Sequence, residues 1–213
     1  MVVLALGGLY PAVEAFAGEH ERLTLDTTLL LGVSRGQIIL SKYLLVASLC
    51  TLSGVCNLLA VTISLRAILA PLSSTLAERI SWGWSLQNLA IVSAGIAGMS
   101  MLVAAATLLF TAHARSFREG QAATTPLFIA ILLPASALVD RTLSLDFRTC
   151  WLPVVNVALL WRDSLKARVD PKLALLTCLA CLLWVGVCLA LLTWRLQRQS
   201  RAIGLVTERR NPK

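Results

Sequence analysis

Charge is scarce in this sequence: charged residues make up 14% of 213 positions, acidic residues number 11 and histidine occurs twice. With 57% hydrophobic residues and a mean hydropathy of +0.78, that scarcity excludes an ordinary soluble domain. The alternating apolar and polar pattern of a membrane β-barrel is also missing, so the class is all-α. No Gly-x-x-x-x-Gly-Lys-Ser/Thr run occurs, which excludes a P-loop in this chain. The stretch HERLT opens like a zinc-protease helix, but Thr24 stands where the second histidine is required and the other histidine is His113. A serine-protease arrangement lacks a histidine within a span. Paired intramembrane carboxylates are lacking too, and ionisable residues at mid-membrane, the usual sign of an ion- or proton-coupled carrier, are not seen, since Glu14 and Arg66 fall near span ends.

The six cysteines do not form a disulfide framework: Cys50, Cys56, Cys178, Cys181 and Cys188 fall inside apolar runs, leaving Cys150 near an aqueous face. Cys178 and Cys181 spell CxxC, but in an apolar helix they read as small packing residues. The net charge of +8 is spread between apolar runs and over the tail, as topology and headgroup anchors are, and does not form a nucleic-acid-binding face.

What is present is a series of apolar runs near the roughly 20 residues that cross about 30 Å of hydrocarbon. They predict a polytopic membrane protein, one transmembrane domain over 1–213, with about five spans at 2–17, 43–69, 86–111, 122–139 and 173–194. The first carries Gly7, Gly8, Pro11 and Glu14 without a basic leader, which makes it a poor signal peptide. An odd count puts the termini on opposite sides. Segments 18–42, 112–121 and 195–213 hold the larger share of Lys and Arg, which favours a cytoplasmic tail at 195–213. Trp82, Trp84, Trp151, Trp161 and Trp194 lie near predicted span ends. Between the last two spans, segment 152–170 places Val154, Val157, Leu160, Leu165 and Val169 on one side and Arg162, Asp163, Lys166 and Arg168 on the other. That pattern predicts a non-spanning helix on the outer face, lying in the interface or dipping in and returning.

Among the uncharged polar residues, Asn57, Ser93, Ser100, Thr107, Thr124 and Thr125 either line a pathway or glue helices. Gly95 and Gly98 predict close helix packing, and Pro126 and Pro134 predict a kink in the fourth span.

One segment turns polar throughout, GEHERLTLDTTLLLGVSRGQIILSKY at 18–43. Acidic residues crowd its start, where a helix dipole favours them, and leucines recur at helical spacing. Ser34 followed by Gln37 spells a capping box that restarts a helix into the second span. The pattern is therefore a span, a short surface helix, a sharp turn and a second span. A plain interfacial linker is the simpler alternative.

Gly18, Glu19, Glu21, Arg22, Thr24, Leu25, Asp26, Leu29, Leu30, Val33, Ser34, Arg35, Ile38 and Lys42 together resemble the cytoplasmic elbow of type 2 ABC exporter permeases, in particular the sodium-efflux-like branch. ARSFREGQAATTPLF and LPVVNVALL resemble two further stretches of that branch, so that the likeness runs from about residue 10 to 195. The family's additional N-terminal span and extracytoplasmic domain have no counterpart here, which implies a truncated, split or naturally minimal permease. The resemblance implies an export subunit, not an enzyme, in the cell inner membrane. It implies a coupling helix that meets a separate cytoplasmic ABC ATPase subunit, where ATP and Mg are bound, and pairing with a second permease copy or a homologous permease. Glu19, Glu21, Arg22, Thr24, Leu25, Asp26, Leu29, Leu30, Ser34 and Arg35 would be the ATPase-coupling residues. Arg115, Phe117, Arg118 and Glu119 would be secondary cytoplasmic contacts. This chain itself would hold no cofactor or metal, and nucleic acid is not an expected partner. A non-transporting membrane scaffold that recruits a cytoplasmic partner through the same elbow is the other class of function that these residues allow.

Overall fold

The computed structural model describes residues 1–22, 34–69, 86–112, 114, 116–137, 145–165 and 170–210, and these are helical apart from short turns. Helix α1 (Val2–Val13) runs without interruption into a π-helical turn, Glu14–Gly18, and a last α-turn, Glu19–Glu21. Then follow α2 (Arg35–Leu69), α3 (Leu86–Thr111), α4 (Phe117–Ala137), α5 (Val155–Leu165) and α6 (Pro171–Arg210).

Among the described residues three stretches are long and apolar enough to cross a membrane: Gly36–Ser64 in α2, Asn88–Thr111 in α3 and Pro171–Arg195 in α6. These make the protein an all-helical membrane protein. Val2–Gly18 is a shorter apolar helix, and α4, at the place of the expected fourth span, begins with the polar turn Phe117, Arg118 and Glu119.

The bundle is organised around α3, which packs against each of the other five helices. Its apolar residues therefore face every direction, and Ile96, Met99, Val103, Ala104, Ala105 and Leu108 are all buried. By contrast α2 and α6 keep apolar residues on their outer sides: Leu44, Leu52, Leu59 and Ile63 on one, Leu175, Leu179, Leu182 and Leu191 on the other, all exposed. Such faces suit contact with lipid chains, which take apolar side chains without cost.

Close approach of α1 to α2 depends on two glycines. A Cβ on Gly8 would fall 2.0 Å from Cys50 Sγ, and one on Gly7 would fall 2.4 Å from Ser53 Cβ. Across that seam Ser53 donates its hydroxyl to the Val3 carbonyl at 3.0 Å. The predicted role of Gly95 and Gly98 is likewise visible, because Gly95 receives the Trp161 indole and a Cβ on Gly98 would touch Cys181.

Segment 152–170 holds a short helix, α5, but residues 156–160 are each fully buried, so the helix is embedded by packing on more than one side. Its entry is unusual. Val155 N–H bonds the Pro153 carbonyl at 2.9 Å around Val154, whose φ of 71° is the rarer positive form of a γ-turn and is strained for a β-branched residue. Asn156 secures this turn. Its Nδ2 donates to the Cys150 carbonyl at 3.0 Å and its Oδ1 accepts from Val157 N–H at 2.7 Å. Cys150, expected near an aqueous face, is instead fully buried in a small cluster with Leu145, Leu159, Leu160 and Ala174, because the turn before α5 folds back onto α6.

Candidate functional site

The elbow begins where α1 changes pitch. A π-helical turn brings one extra residue into the helix and offers backbone carbonyls to outside donors, a device found often at functional positions. Here two neighbouring helices supply the donors. Thr111 Oγ1, at the end of α3, donates to the Ala12 carbonyl at 3.2 Å. From α2, the Lys42 ammonium donates to the Ala15 carbonyl and to Glu19 Oε2, the latter at 2.5 Å, and stands 4.5 Å from the centre of the Phe16 ring. One lysine thus reads three successive features of a single turn: a carbonyl, an aromatic face and a carboxylate. Lys42 is 8% exposed, so its charge is carried by these partners and hardly at all by solvent.

A second contact lies beside the first. Glu21 Oε2 accepts from the N–H of Phe117, the first residue of α4, at 3.3 Å, placing a carboxylate at a helix N-terminus. The Tyr10 and Phe117 rings meet edge to face at 5.4 Å. On the same start of α4, Ser116 Oγ accepts from Glu119 N–H at 3.3 Å, and Gly120 leaves room for Val13 and Ala17 of the elbow helix.

The described start of the elbow, up to Arg22, and the first turn of α4 at 116–119, which the sequence singled out separately, are therefore adjacent, joined through Glu21 and Phe117. Glu19 faces inward to Lys42. Arg22 pairs with Glu14 at 2.7 Å in an exposed bridge, so Glu14 is a partner as well as a span-end anchor. Arg118 and Glu119 are exposed at the surface of the first turn of α4. Ser34 and Gln37 form one arm of the predicted capping box: Gln37 Oε1 accepts from Ser34 N–H at 3.2 Å, while Ser34 Oγ donates to the same oxygen at 2.9 Å and Gln37 N–H bonds the Ser34 carbonyl, and α2 starts at Arg35. Thr24, Leu25, Asp26, Leu29, Leu30 and Arg115, and the side chain of Arg35, lie outside the described residues.

Lys42 is the residue that sequence reasoning undervalued: it was visible as a lysine opening an apolar run, but its inward direction was not. Ser116-x-x-Glu119 is a capping spelling in the sequence, and the Ser116 side chain caps Glu119 N–H as that spelling implies.

The polar residues within the apolar helices mostly satisfy their own helix. Ser93, Ser100, Thr107, Thr124 and Thr125 each donate to a carbonyl three or four residues back. Asn57 does not; its amide has no hydrogen-bond partner among the described residues.

Comparison with protein-family models, with curated proteins and with solved structures found no match. The class defined by the fold is that of an all-helical membrane protein whose polar elbow is tied to two other helices.

Proposed function

We propose that this chain is the membrane-spanning permease subunit of an ATP-driven ABC exporter, with five spans in the inner membrane, a cytoplasmic elbow and a cytoplasmic tail. Its motor is a separate ABC ATPase subunit, and two permease units pair around the pathway. One observation carries the proposal: the start of the elbow is bonded to α2 through Lys42 and to α4 through Glu21. A force applied to the surface segment that precedes α2, from residue 18 onward, would then reach two membrane helices together. Packed elements of this kind move as units between discrete arrangements, which is what a coupling device requires. The elbow sequence supports the same reading through its likeness to the exporter family.

The test is purification from host membranes in mild detergent. An ATPase subunit accompanies the chain, and the charge reversals Glu21→Lys and Asp26→Lys alter the hydrolysis rate of the complex. Absence of any such subunit, or hydrolysis indifferent to both reversals, would leave the scaffold function in its place.

A further inference from the structure

The depth of α5 in the membrane follows from its contacts with α3 and α6. Gly98 lies near the middle of the Asn88–Thr111 stretch and Cys181 near the middle of Pro171–Arg195. A Cβ on Gly98 would stand 3.5 Å from Cys181 Cβ, so the two helices pass side by side with their midpoints level. Cys181 is about 15 Å along α6 from Pro171 at 1.5 Å of rise per residue, half the thickness of the hydrocarbon. Asn156 Nδ2 is 3.8 Å from Cys181 Sγ, and the Trp151 carbonyl accepts from Trp184 Nε1 at 3.1 Å. The turn that starts α5 is thus at mid-membrane. Its two arms return to one side, because Leu145 before the turn and Leu160 after it cluster with Ala174, near the Pro171 end of α6.

At that depth the turn presents exposed side chains on irregular backbone. Leu152 is extended and Val154 has a positive φ. The Trp151 and Leu152 side chains are 44% and 52% exposed, and Phe147, 65% exposed, meets the Trp151 ring edge to face at 6.5 Å. Irregular backbone does not face lipid within the hydrocarbon region; it is covered by protein or lines a water-filled cavity. Two aromatic rings and a leucine give water few partners, whereas aromatic side chains are enriched where proteins meet.

We infer that segment 145–165 is a re-entrant hairpin and that its tip, Phe147, Trp151 and Leu152, is the surface through which two copies of this chain meet inside the membrane. The contact is isologous: tip packs on tip across a two-fold axis, so that one patch covers its own equivalent and neither copy leaves irregular backbone against lipid. The exposed faces of α2 and α6 are regular helix and remain available to lipid chains. This inference rests on the pairing of two permease units proposed above and adds the surface that pairs them.

The experiment uses the full chain with Cys56→Ala, carrying either Trp151→Cys or Leu152→Cys, in phosphatidylcholine liposomes. Oxidation with copper phenanthroline should join two copies through a disulfide in both variants and not in Cys56→Ala alone. Trp151→Ala should weaken the dimer about tenfold on dilution within the bilayer. Because Trp151 holds Trp184 through its backbone carbonyl, the melting temperature should be kept. Reaction of the Trp151→Cys thiol with a membrane-impermeant maleimide, without cross-linking, would overturn the contact in favour of a water-filled cavity. Quenching of a bimane label on that thiol by lipids brominated at mid-chain would overturn it in favour of lipid. A dimer by single-molecule photobleaching that cross-links at neither position would overturn the tip as the interface and leave the pairing of copies standing, whereas a monomer would overturn both.

Discussion

Lys42 of α2 and Glu19 of the elbow helix meet at 2.5 Å, with the lysine side chain 10% exposed and the carboxylate 33% exposed. The asymmetry sets the energetics. The buried ammonium depends on its partner, whereas the carboxylate has solvent to fall back on. Glu19→Ala should therefore destabilise the protein more than Lys42→Met, by about 2 kcal/mol against about 1, the first figure being reduced from the fully buried case for partial exposure. In the double variant the loss should be less than the sum, as a thermal unfolding cycle in detergent would register. Equal and additive losses would mean that the two groups do not interact.

Glu21 is expected to act on α4 through its first N–H. Glu21→Gln removes the charge at that helix start and should cost about 0.5 to 1 kcal/mol. Amide hydrogen exchange should quicken at residues 117–120 and stay unchanged in α6, since the effect of a cap is confined to one turn.

The Gly8 contact predicts a steric effect. Gly8→Ala places a methyl group 2.0 Å from Cys50 Sγ, so α1 must move away from α2 or Cys50 must turn. A loss of about 1 to 3 kcal/mol is expected from overpacking. Combining it with Cys50→Gly should restore part of that loss in the same melting assay.

Asn156 holds a strained turn closed. Asn156→Ala leaves the Cys150 carbonyl without its partner in a buried site and should cost about 2 kcal/mol. Because Cys150 is fully buried, its alkylation by a maleimide should be slow in the parent and several-fold faster in the variant, after Cys56, which is exposed, has been replaced by Ala. No gain in the reactivity of Cys150 would show that the turn is held by other contacts.

The all-α class and the places of α3 and α6 were legible because long apolar runs have one low-cost solution in a bilayer. By contrast α2 begins at Arg35, ahead of the expected start at 43, so that residues 35–42 belong to the helix and not to the elbow. Ser34 and Gln37 were legible as a cap because capping is a local interaction between residues three apart. Lys42 and Glu19 were not, since their meeting depends on a π-helical turn that sets the elbow against a helix 23 positions away. Burial of α5 was also hidden: Val157 and Leu160 gave an apolar side, but the packing that covers Ala158 and Leu159 comes from other elements. The expected spans at α1 and α4 are not among the stretches long and apolar enough to cross, because the apolar run of α1 is short and α4 opens with Arg118 and Glu119.

In the proposed exporter the elbow that precedes α2 carries motion from an ATPase to α2 and α4. A density map of the complex purified in mild detergent tests it most directly. The account predicts that the elbow sits in a groove of a nucleotide-hydrolysing subunit, with Glu21 still at the start of α4; an elbow on the opposite side of the membrane, or touching no such subunit, would contradict it.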